Sequence, residues 1–464
     1  MLVPVTAVPA FAKFQGTLIW PGDSAYETAR KLWNGAIDRR PALIARCAGE
    51  DDAAAALAYG LDAGLPISVR GGGHNVAGSA LSDGVVIDFS DLRGVEVDPA
   101  RRTARVQPGA LWGDVDTGTQ RHGLAVPAGV VSETGVAGLT VGGGFGWLSR
   151  RWGLTSDNLI GARLLLADGR RLHVSGADHP DLFWAIRGGG GNFGIITEFE
   201  FQLHDLGTEV LAGPLLYRAD EARDVLALLR DFIAAAPDEL AVYANLRTAP
   251  TFDWVPQDVQ GTNVVMLIPA YSGDLADGEA ILAPLRRSIV PIVDLVKPRP
   301  YLALQTLFNA AVPAGWNYYW KSHYLPPLSD AAIDTMAGLA WRKASPDSFS
   351  ILFHLGGQID RVTNDHSSAS GRGASHALNI NAAWSDGGSP NPDVGWCREY
   401  ATAMRSHATG GVYVNFLDND EGEARTRAAY GRNFERLARI KARFDPDNVF
   451  RSNQNIPPAN TSRR

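Results

Sequence analysis

The stretch PISVRGGGHNVAG, residues 66–78, decides the fold, because it ends an apolar strand in a glycine turn. Gly71 to Gly73 carry no side chains, so the backbone there can adopt positive φ and bring its N–H groups against a bound group. An anion such as a diphosphate suits such a cradle. His74 stands at the rim of the turn, with its ring over whatever the glycines hold. The alternative is a turn with a hydrogen-bonded histidine, and the rest of the chain decides between the two.

Length and composition limit the classes of protein that this chain can form. Its 464 residues are enough for two or three domains. A formal charge of −7, with no cluster of Lys or Arg, argues against a nucleic-acid partner. The 50 glycines exceed the average share of about 7% and gather at 142–144 and 188–191. Such clusters are typical of binding loops.

Cysteine usage and hydropathy predict the compartment. Cys47 and Cys397 are the two cysteines, which predicts neither a disulfide framework nor a zinc motif, and we expect no bound metal. No basic N-terminal segment precedes an apolar run, and no apolar stretch is long enough to span a bilayer. We therefore expect a cytoplasmic protein with no membrane partner, although a chaperoned export route stays open.

The order of elements predicts an α+β protein. An N-terminal arm with a helix through Tyr26 and Trp33 occupies 1–37. Short strands and helices over 38–206 form a first domain, with a hairpin at Asp168-Gly169. Longer strands and helices over 207–410 predict a large antiparallel sheet covered by helices on one side. The segment 411–464 carries an amphipathic helix at 424–444, which Asp445-Pro446 ends.

The third glycine cluster matches the dinucleotide fingerprint G-x-G-x-x-G but not its context. Gly189, Gly191 and Gly194 have the required spacing. The match follows a helix and precedes a strand, whereas the fingerprint requires a strand, a turn and then a helix. We therefore expect no Rossmann unit, although the glycines still indicate a close approach of backbone to something.

Five motifs in order carry a resemblance to a known family. They are VRGGGHN at 69–75, GVVSETGVAGLTVGGGFGWLSRRWGLTSDNL at 129–159, DLFWAIRGGGGNFGIIT at 181–197, YVNF at 413–416 and FDPDNVFRSNQNI at 444–456. The chain resembles the berberine-bridge-enzyme-like FAD-linked oxidases with a vanillyl-alcohol-oxidase (PCMH) type of flavin domain. The bacterial subgroup is similar to hydroxynicotine oxidases and to flavoenzymes of natural-product tailoring. The resemblance implies a two-subdomain FAD-binding domain over 38–206, a substrate domain over 207–410 and a C-terminal segment that returns to the flavin.

The resemblance implies covalent FAD. His74 occupies the position at which family members bond the flavin 8α-methyl group, and such a bond raises the reduction potential of the flavin. Many relatives attach the flavin a second time through a cysteine two residues after Gly129. Val131 stands at that position, so we expect a single link at His74. Neither Cys47 nor Cys397 replaces it in this alignment.

Further FAD contacts are implied at the matching positions. Val136 would lie beside the oxygen-reactive carbon of the flavin, which favours an oxidase over a dehydrogenase. Asn158, with Asp157, would contact FAD or cap a turn, and Tyr413 would contact FAD or only pack. The full set of positions, with Asn453 or Gln454 closing from the C-terminus, is Arg70, Gly71, Gly72, Gly73, Asn75, Gly78, Gly129, Val130, Thr134, Gly135, Val136, Gly138, Gly142, Gly143, Gly146, Asn158, Ile196, Tyr413, Asn415 and Asn453.

One departure from the family concerns the general base. Many relatives carry a tyrosine three residues after Tyr413, but this chain has Phe416, which takes no proton. A positioned base contributes typically about 10²–10⁴-fold, so another group should supply it. The candidates lie on strands expected to line the site and are His354, Tyr318, Tyr324, Asn379 and Asn381. His354 is a base, a substrate contact or a packed histidine, and the two amides orient rather than deprotonate.

The functional expectation is an FAD-dependent oxidase. Hydride would pass from an alcohol, an amine or a phenolic or polyketide-type substrate to the flavin, and O2 would reoxidise it to give H2O2. The aromatic run at 316–320 suits a flat substrate or a sugar. The alternatives are a flavin monooxygenase of secondary metabolism and a catalytically silent flavin- or ligand-binding protein. The expected partners are a small molecule and O2, and the expected assembly is a monomer or a weak homodimer.

Overall fold

The computed structural model describes residues 11–385 and 392–460. In chain order, the strands of this part of the chain are β1 Thr17–Ile19, β2 Leu43–Arg46, β3 Ile67–Arg70, β4 Val85–Asp88, β5 Val95–Asp98, β6 Thr103–Val106, β7 Leu124–Ala125, β8 Leu159–Leu165, β9 Arg171–Ser175, β10 Ile195–Gln202, β11 His204–Asp205, β12 Glu209–Ala212, β13 Leu215–Arg218, β14 Leu240–Thr248, β15 Asn263–Tyr271, β16 Val293–Asp294, β17 Lys297–Pro300, β18 Asn317–Leu325, β19 Phe349–His354 and β20 His376–Trp384.

The α-helices separate these strands and flank the sheets. They are α1 Tyr26–Ala29, α2 Glu50–Asp62, α3 Trp112–Gln120, α4 Val136–Val141, α5 Ser149–Trp152, α6 Pro180–Ile186, α7 Ala222–Ile233, α8 Leu275–Arg287, α9 Tyr301–Gln305, α10 Asp330–Leu339, α11 Gln358–Arg361, α12 Asp393–Met404, α13 Gly422–Tyr430 and α14 Phe434–Phe444.

A small sheet in the order β1-β2-β4-β3 presents the first glycine turn. β3 and β4 are parallel, with Ile67 opposite Val85 and Val69 opposite Ile87. These β-branched side chains suit a buried strand pair, and α2 covers the sheet. The glycine turn of residues 71–73 therefore begins where β3 ends.

The N-terminal arm differs from the expectation of a helix through Trp33. The helix α1 ends at Ala29, and β1 joins the small sheet antiparallel to β2. Beyond α1 the backbone bonds to other parts of the chain: Trp33 N–H donates to Gly73 O, and Trp33 O accepts from Gly315 N–H. These tertiary hydrogen bonds replace the helical ones, so the arm joins the glycine turn to the second half of the chain.

A second sheet has the order β5-β6-β10-β8-β9, and the third glycine cluster lies in the loop before its central strand β10. The hairpin of β8 and β9 turns at Asp168-Gly169, as predicted, with Gly169 at a φ of 82°. α6 ends at Ile186 and β10 begins at Ile195, so the G-x-G-x-x-G match lies between a helix and a strand. This order confirms that it is not a Rossmann unit.

The third sheet has nine strands and two different faces. Its path is β16-β13-β15-β14-β19-β20-β18, with β12 paired to β15 and β17 paired to β12, and all its pairs are antiparallel. Leu352, Leu378 and Ile380 face α7, α10 and α12 in one apolar core. The alternate residues of the same strands face the first domain. The predicted α+β class and the large antiparallel sheet covered by helices are confirmed.

The C-terminal segment packs against the first domain. The amphipathic pattern at 424–444 predicts one helix, but the structure has α13 and α14, separated at Gly431, which has a φ of 52°. Lys441 is fully buried, and its Nζ donates to Asp445 Oδ2 at 2.6 Å and to Asn192 O at 2.7 Å. The hydrogen bond from Lys441 to Asn192 joins the segment to the loop before β10.

Residues 413–416 form a turn, because Val414 to Phe416 adopt a 3-10 helix. The domain boundaries 1–37, 38–206, 207–410 and 411–464 stay a prediction.

Within residues 11–385 and 392–460, no helix combines the length and the apolar character that a bilayer crossing requires.

A buried acid–amide pair joins the first two domains. Gln305 Nε2 in α9 donates to Asp116 Oδ2 in α3 at 2.9 Å, and both residues are about 1% exposed. Asp116 Oδ1 and Gln305 Oε1 have no hydrogen-bond partner in the described structure. Burial raises the pKa of Asp116 to about 7, and the fully buried Tyr301 phenol is a further titratable group facing it. A protonated carboxyl can donate to Gln305 Oε1 and complete the pair.

Replacing Asp116 by Asn should remove a pH dependence of stability. The native pKa is raised above the unfolded value of about 3.9, so the wild-type protein loses stability as pH rises from about 4 to about 7. Because asparagine offers the same donor at every pH, D116N should gain roughly 1–3 kcal/mol relative to wild type between pH 5 and pH 8. Urea unfolding at both pH values measures this difference. D62N, at an exposed position, is the control, and an equal D116N difference at the two pH values would contradict the assignment.

Candidate active site

A large cavity separates the glycine loops from the nine-stranded sheet. Its walls come from both domains and from the C-terminal segment. The described residues that line it on the glycine side are Gly71, Gly72, Gly73, His74, Asn75, Gly129, Val130, Val131, Thr134, Gly135, Gly138, Gly190, Gly191 and Ile196. Those on the side of the sheet are Asn245, Arg247, Trp320, Phe349, Ile351, Phe353, Asn379 and Asn381.

The floor of the cavity is glycine backbone. A Cβ added to Gly72 would lie 2.5 Å from the Cα of Gly135, so the first two glycine loops touch without side chains between them. Gly73 adopts a φ of 72°, which disfavours other residues. A Cβ on Gly138 would meet no atom within 4 Å and would project into open space. The floor therefore leaves backbone exposed to whatever the cavity holds.

His74 reaches this floor as a neutral imidazole. Its Nε2 is buried and has no hydrogen-bond partner among the described residues. Burial lowers the pKa of the ring to about 4, so the ring carries no charge at neutral pH. A neutral ring nitrogen without a partner can accept a hydrogen bond or act as a nucleophile.

Two aromatic rings hold the imidazole in place. Trp33 stacks on His74 with centroids 4.1 Å apart, and Tyr318 stacks on the other face of Trp33 at 3.9 Å. The arm is fixed there because Asn34 Nδ2 donates to Val76 O and to Tyr318 O. The sequence motifs gave no sign of Trp33, because it lies in the arm, far along the chain from the residues it contacts.

The structure brings most of the implied FAD-binding positions to the cavity. Of these positions, Gly71, Gly72, Gly73, His74, Asn75, Gly129, Val130, Thr134, Gly135, Gly138, Ile196, Tyr413, Asn415 and Asn453 line it. The glycines Gly78, Gly142, Gly143 and Gly146 do not line it. Gly142 and Gly146 allow close packing there, on the Asn415 amide and the Ala128 carbonyl respectively.

Three other implied positions have different surroundings. The Arg70 guanidinium donates to Ala29 O and lies 4.0 Å from Asp88. Val136 is fully buried in the apolar core, whereas its neighbours Thr134 and Ala137 line the cavity. Asn158 Nδ2 donates to Trp152 O and Leu154 O, which is the turn-capping alternative. These placements give no support to direct flavin contacts by these three side chains.

The C-terminal turn contributes a polar corner to the cavity. The Tyr413 hydroxyl accepts from Gly144 N–H at 3.0 Å and from Asn415 Nδ2 at 2.8 Å. Asn453 Nδ2 donates to Gly191 O at 3.0 Å, and its Oδ1 is buried without a partner in the described structure. Burial raises the pKa of Tyr413 far above neutrality, so the phenol keeps its proton.

Three of the candidate bases lie away from the cavity. His354 is on the face of β19 opposite Phe349, Ile351 and Phe353, and its ring centroid is 6.2 Å from that of His376. The Tyr318 hydroxyl donates to Pro313 O, and the Tyr324 ring packs against Gly371. Strand alternation explains the result for His354, because the cavity face of β19 carries the odd-numbered residues. The placement weighs against a base at any of the three.

Asn379 and Asn381 do line the cavity, as predicted for their strand. Both lie on one face of β20 and are about 2–3% exposed. Phe416, which replaces the expected tyrosine, packs edge-on against Phe145 and Trp320. The sheet side of the cavity is therefore an aromatic wall with amides set into it.

Sequence reasoning missed two further polar residues on this wall. Asn245 and Arg247 lie two apart on β14 and line the cavity. Asn245 is 1% exposed, and neither atom of its amide has a partner in the described structure. A polar pair at alternate positions of an otherwise apolar strand, LAVYANLRT, was the available signal.

The residues present fit FAD. A bare glycine floor admits a flat ring and a diphosphate, and its backbone N–H groups suit the phosphate charge. The unpartnered Nε2 of His74 and Oδ1 of Asn453 are buried polar atoms for which a bound group would supply partners. His74 and Asn453 both line this cavity.

Comparisons with known proteins agree with this fit. Residues 41–175 match the family model described as FAD binding domain, and residues 412–457 match the model described as Berberine and berberine like. These two ranges contain the first two glycine loops and the C-terminal turn.

Relatives with similar sequences cover nearly the whole chain. An (R)-6-hydroxynicotine oxidase from Paenarthrobacter nicotinovorans is 32% identical over 96% of this chain and 97% of its own. A glucooligosaccharide oxidase from Sarocladium strictum is 29% identical over 92% of this chain and 89% of its own. The crystal structure of a 6-hydroxy-D-nicotine oxidase from Arthrobacter nicotinovorans has a TM-score of 0.87 at 30% identity and covers 97% of this chain and 99% of that one.

The resemblance stated from the five motifs is thereby confirmed, and so is the prediction of an oxidoreductase. The glycine floor, the histidine and the C-terminal turn line one cavity, and the residues present there fit FAD. The chain belongs to the berberine-bridge-enzyme-like FAD-linked oxidoreductases.

Proposed function

We propose that this enzyme is an oxidase whose FAD is attached through His74 alone. The observation that carries the proposal is the buried, neutral and unpartnered imidazole beside a glycine floor. A nitrogen in that state is a nucleophile, and the stacked Trp33 and Tyr318 rings limit the orientations of the imidazole. The substrate is an alcohol, an amine or a phenolic or polyketide-type molecule, as the family relatives support.

The side chains around the cavity favour one covalent link over two. Val131 lines the cavity at the position where many relatives carry the second attachment residue. Cys47 is buried in the core of the small sheet and Cys397 in the core behind the nine-stranded sheet. Neither thiol lines the cavity, so neither can replace the missing cysteine.

When bound, FAD supplies a hydride acceptor that O2 can reoxidise to give H2O2. The glycine loops would hold its diphosphate through backbone N–H groups, and Tyr413, Asn415 and Asn453 would close the site from the C-terminal side. The aromatic wall excludes water and orients a flat substrate, which converts the reaction into one between preassembled groups.

No carboxylate lines the cavity among the residues that the structure describes. Among the described residues that line it, the titratable side chains are His74, Arg247, Tyr413 and Tyr430, and burial raises the pKa of both tyrosines. None of the four is suited to remove a proton from a neutral alcohol at pH 7. The site therefore favours an amine, whose lone pair expels hydride, or a phenol that is already ionised, over a neutral alcohol.

The proposed oxidase also needs a route for O2 to the flavin. Val136 does not line the cavity, whereas Val130, Val131, Thr134 and Ala137 do, and we propose that oxygen approaches the flavin beside these four side chains. We propose a cytoplasmic enzyme that acts as a monomer or a weak homodimer on a small molecule and O2.

Mass spectrometry of the flavin-bearing peptide tests the attachment. After acid precipitation and digestion, flavin should be found on the peptide that contains His74 and on no cysteine peptide. His74→Ala should lose flavin on acid precipitation and oxidise substrate at least about tenfold more slowly, because the covalent link raises the flavin potential. H122A, at an exposed histidine, is the matched control. A cysteinyl adduct would contradict the single link.

Truncating Trp33 should lower the fraction of covalent flavin. Trp33→Ala removes the ring stacked on His74, whereas Trp33→Phe keeps an aromatic face. The ratio of acid-stable flavin absorbance to protein should fall severalfold in W33A and stay near wild type in W33F. Trp341→Ala, on the helix side of the large sheet, is the control. Equal ratios in W33A and wild type would show that the stack does not position the imidazole.

Oxygen stoichiometry tests the oxidase against its alternatives. We expect one H2O2 for each substrate molecule oxidised and no labelled oxygen in the product from ¹⁸O2. Labelled product would indicate the monooxygenase instead.

Screening amines and phenols under anaerobic conditions should bleach the flavin with at least one of them. A flavin that none of them bleaches would favour the silent binding protein.

A further inference from the structure

We infer that Arg247 and Asn245 form a subsite for a flat oxyanion, so that the preferred substrate carries a carboxylate or an ionised phenol at the end that lies against β14. This inference rests on the proposed function, because it places the substrate in the same cavity. It goes further by naming the charge of the substrate and the residues that recognise it.

Arg247 has no ion-pair partner in the part of the chain that the structure describes. Its Nε donates to Thr248 O at 3.2 Å, and the guanidinium lies 5.5 Å from the centroid of Phe349. The guanidinium has no ion pair within residues 11–385 and 392–460, and Arg247 lines the cavity. Burial lowers the pKa of Arg247 to about 10, so it stays charged at neutral pH. A partly buried charge with no counterion is costly, and a bound anion would offset that cost.

The other charged groups near Arg247 do not neutralise it. Asp347 attracts it from beyond ion-pair distance, and burial raises the pKa of that carboxyl. Lys343 adds a second positive charge nearby, with its Nζ donating to Thr248 Oγ1 at 2.5 Å. Asp393 and Asp347 both act on Lys343, so the charge that matters at the cavity itself is that of Arg247, the cationic side chain among the described residues that line it.

Asn245 supplies the second, independent observation. It is 1% exposed, lines the cavity and leaves both its Nδ2 and its Oδ1 without partners in the described structure. An amide buried this deeply normally makes hydrogen bonds. Nδ2 can donate to an oxyanion beside the guanidinium, and Oδ1 can accept from a neighbouring hydroxyl of the same molecule.

The strand register gives the subsite its shape. Asn245 is opposite Ile351 on β19, and Ile351 is opposite Asn379 on β20. Two strand spacings therefore separate the β14 pair from the Asn379 and Asn381 amides, which is roughly 10 Å. Phe349 and Ile351 lie between them and face the cavity. A flat ring resting on these two side chains would reach the cation at one end and the amides at the other.

Calorimetric titration of the flavin-loaded enzyme with matched pairs of molecules tests the subsite. The first pair is benzoate and benzamide, and the second is 4-nitrophenolate and 4-nitroanisole. In the wild-type protein the anion of at least one pair should bind about tenfold or more tightly than its neutral partner, because an arginine–oxyanion bond is charge-assisted. The pair that shows the preference distinguishes a carboxylate from a phenolate.

Variants separate the role of the charge from an effect on folding. Arg247→Met should reduce the preference to within about twofold, and Arg247→Lys should keep part of it as a point charge. Asn245→Ala should weaken anion binding severalfold with the preference retained. R223M removes an exposed arginine that pairs with Asp334 on the helix side of the sheet, so it controls for net charge and should bind like wild type. The flavin spectrum and the melting temperature report whether each variant is folded.

The outcomes distinguish this inference from the proposed function. Equal or weaker binding of both anions by the wild-type protein, or a preference that persists in R247M, would overturn the subsite whether or not the enzyme is an oxidase. Anion binding that depends on Arg247 would support the subsite, even if no substrate bleached the flavin and the proposed oxidase activity failed.

Discussion

The contact between two stretches of bare backbone is the constraint on which the site depends. Gly72, after a strand of the small sheet, and Gly135, in the loop before α4, approach so closely that a Cβ on either would lie within 2.8 Å of the backbone of the other. This contact joins the loop after β3 to the loop before α4. The same absence of side chains leaves a floor of exposed backbone. Close packing of the domain and access for a flat cofactor therefore have a single cause in sequence.

The neutral charge and the orientation of the His74 ring depend on residues that are distant in sequence. The N-terminal arm contributes Trp33, and the nine-stranded sheet contributes Tyr318, so the stack of three rings crosses both halves of the molecule. Burial within this stack keeps the imidazole neutral, and a protonated ring would have no lone pair to offer. The arm gives up helical hydrogen bonds to reach this place, which explains why α1 ends as early as Ala29. The positioning of one nitrogen thus requires contacts between the arm, the glycine turn and the large sheet.

The cofactor half of the site could be predicted from the sequence, and the substrate half largely could not. Glycine turns and the histidine are local features, because positive φ and close backbone approach demand particular residues at fixed positions. The large sheet and its helix-covered face also follow from periodicity. Trp33 and the break at Gly431 depend on tertiary contacts that local patterns do not encode. His354 illustrates a further limit: its strand was identified, but the face that meets the cavity depends on register with β14 and β20.

Strand register also explains why the polar residues of the large sheet lie on the same face, toward the cavity. β14 places Asn245 and Arg247 on the cavity face, and β20 places Asn379 and Asn381 there, with only the apolar side chains of β19 between them. A one-residue slip of either strand would turn its polar pair into the helix-covered core, where unpaired amides and a charge are strongly unfavourable. The hydrophobic side of the sheet therefore fixes the polar side. This arrangement has a chemical consequence. Phe416 stands where the family resemblance implies a tyrosine base, and the charged side chain on the sheet side of the cavity is Arg247. In the proposed function, reactivity then depends on the ionisation state of the substrate instead of on a protein base.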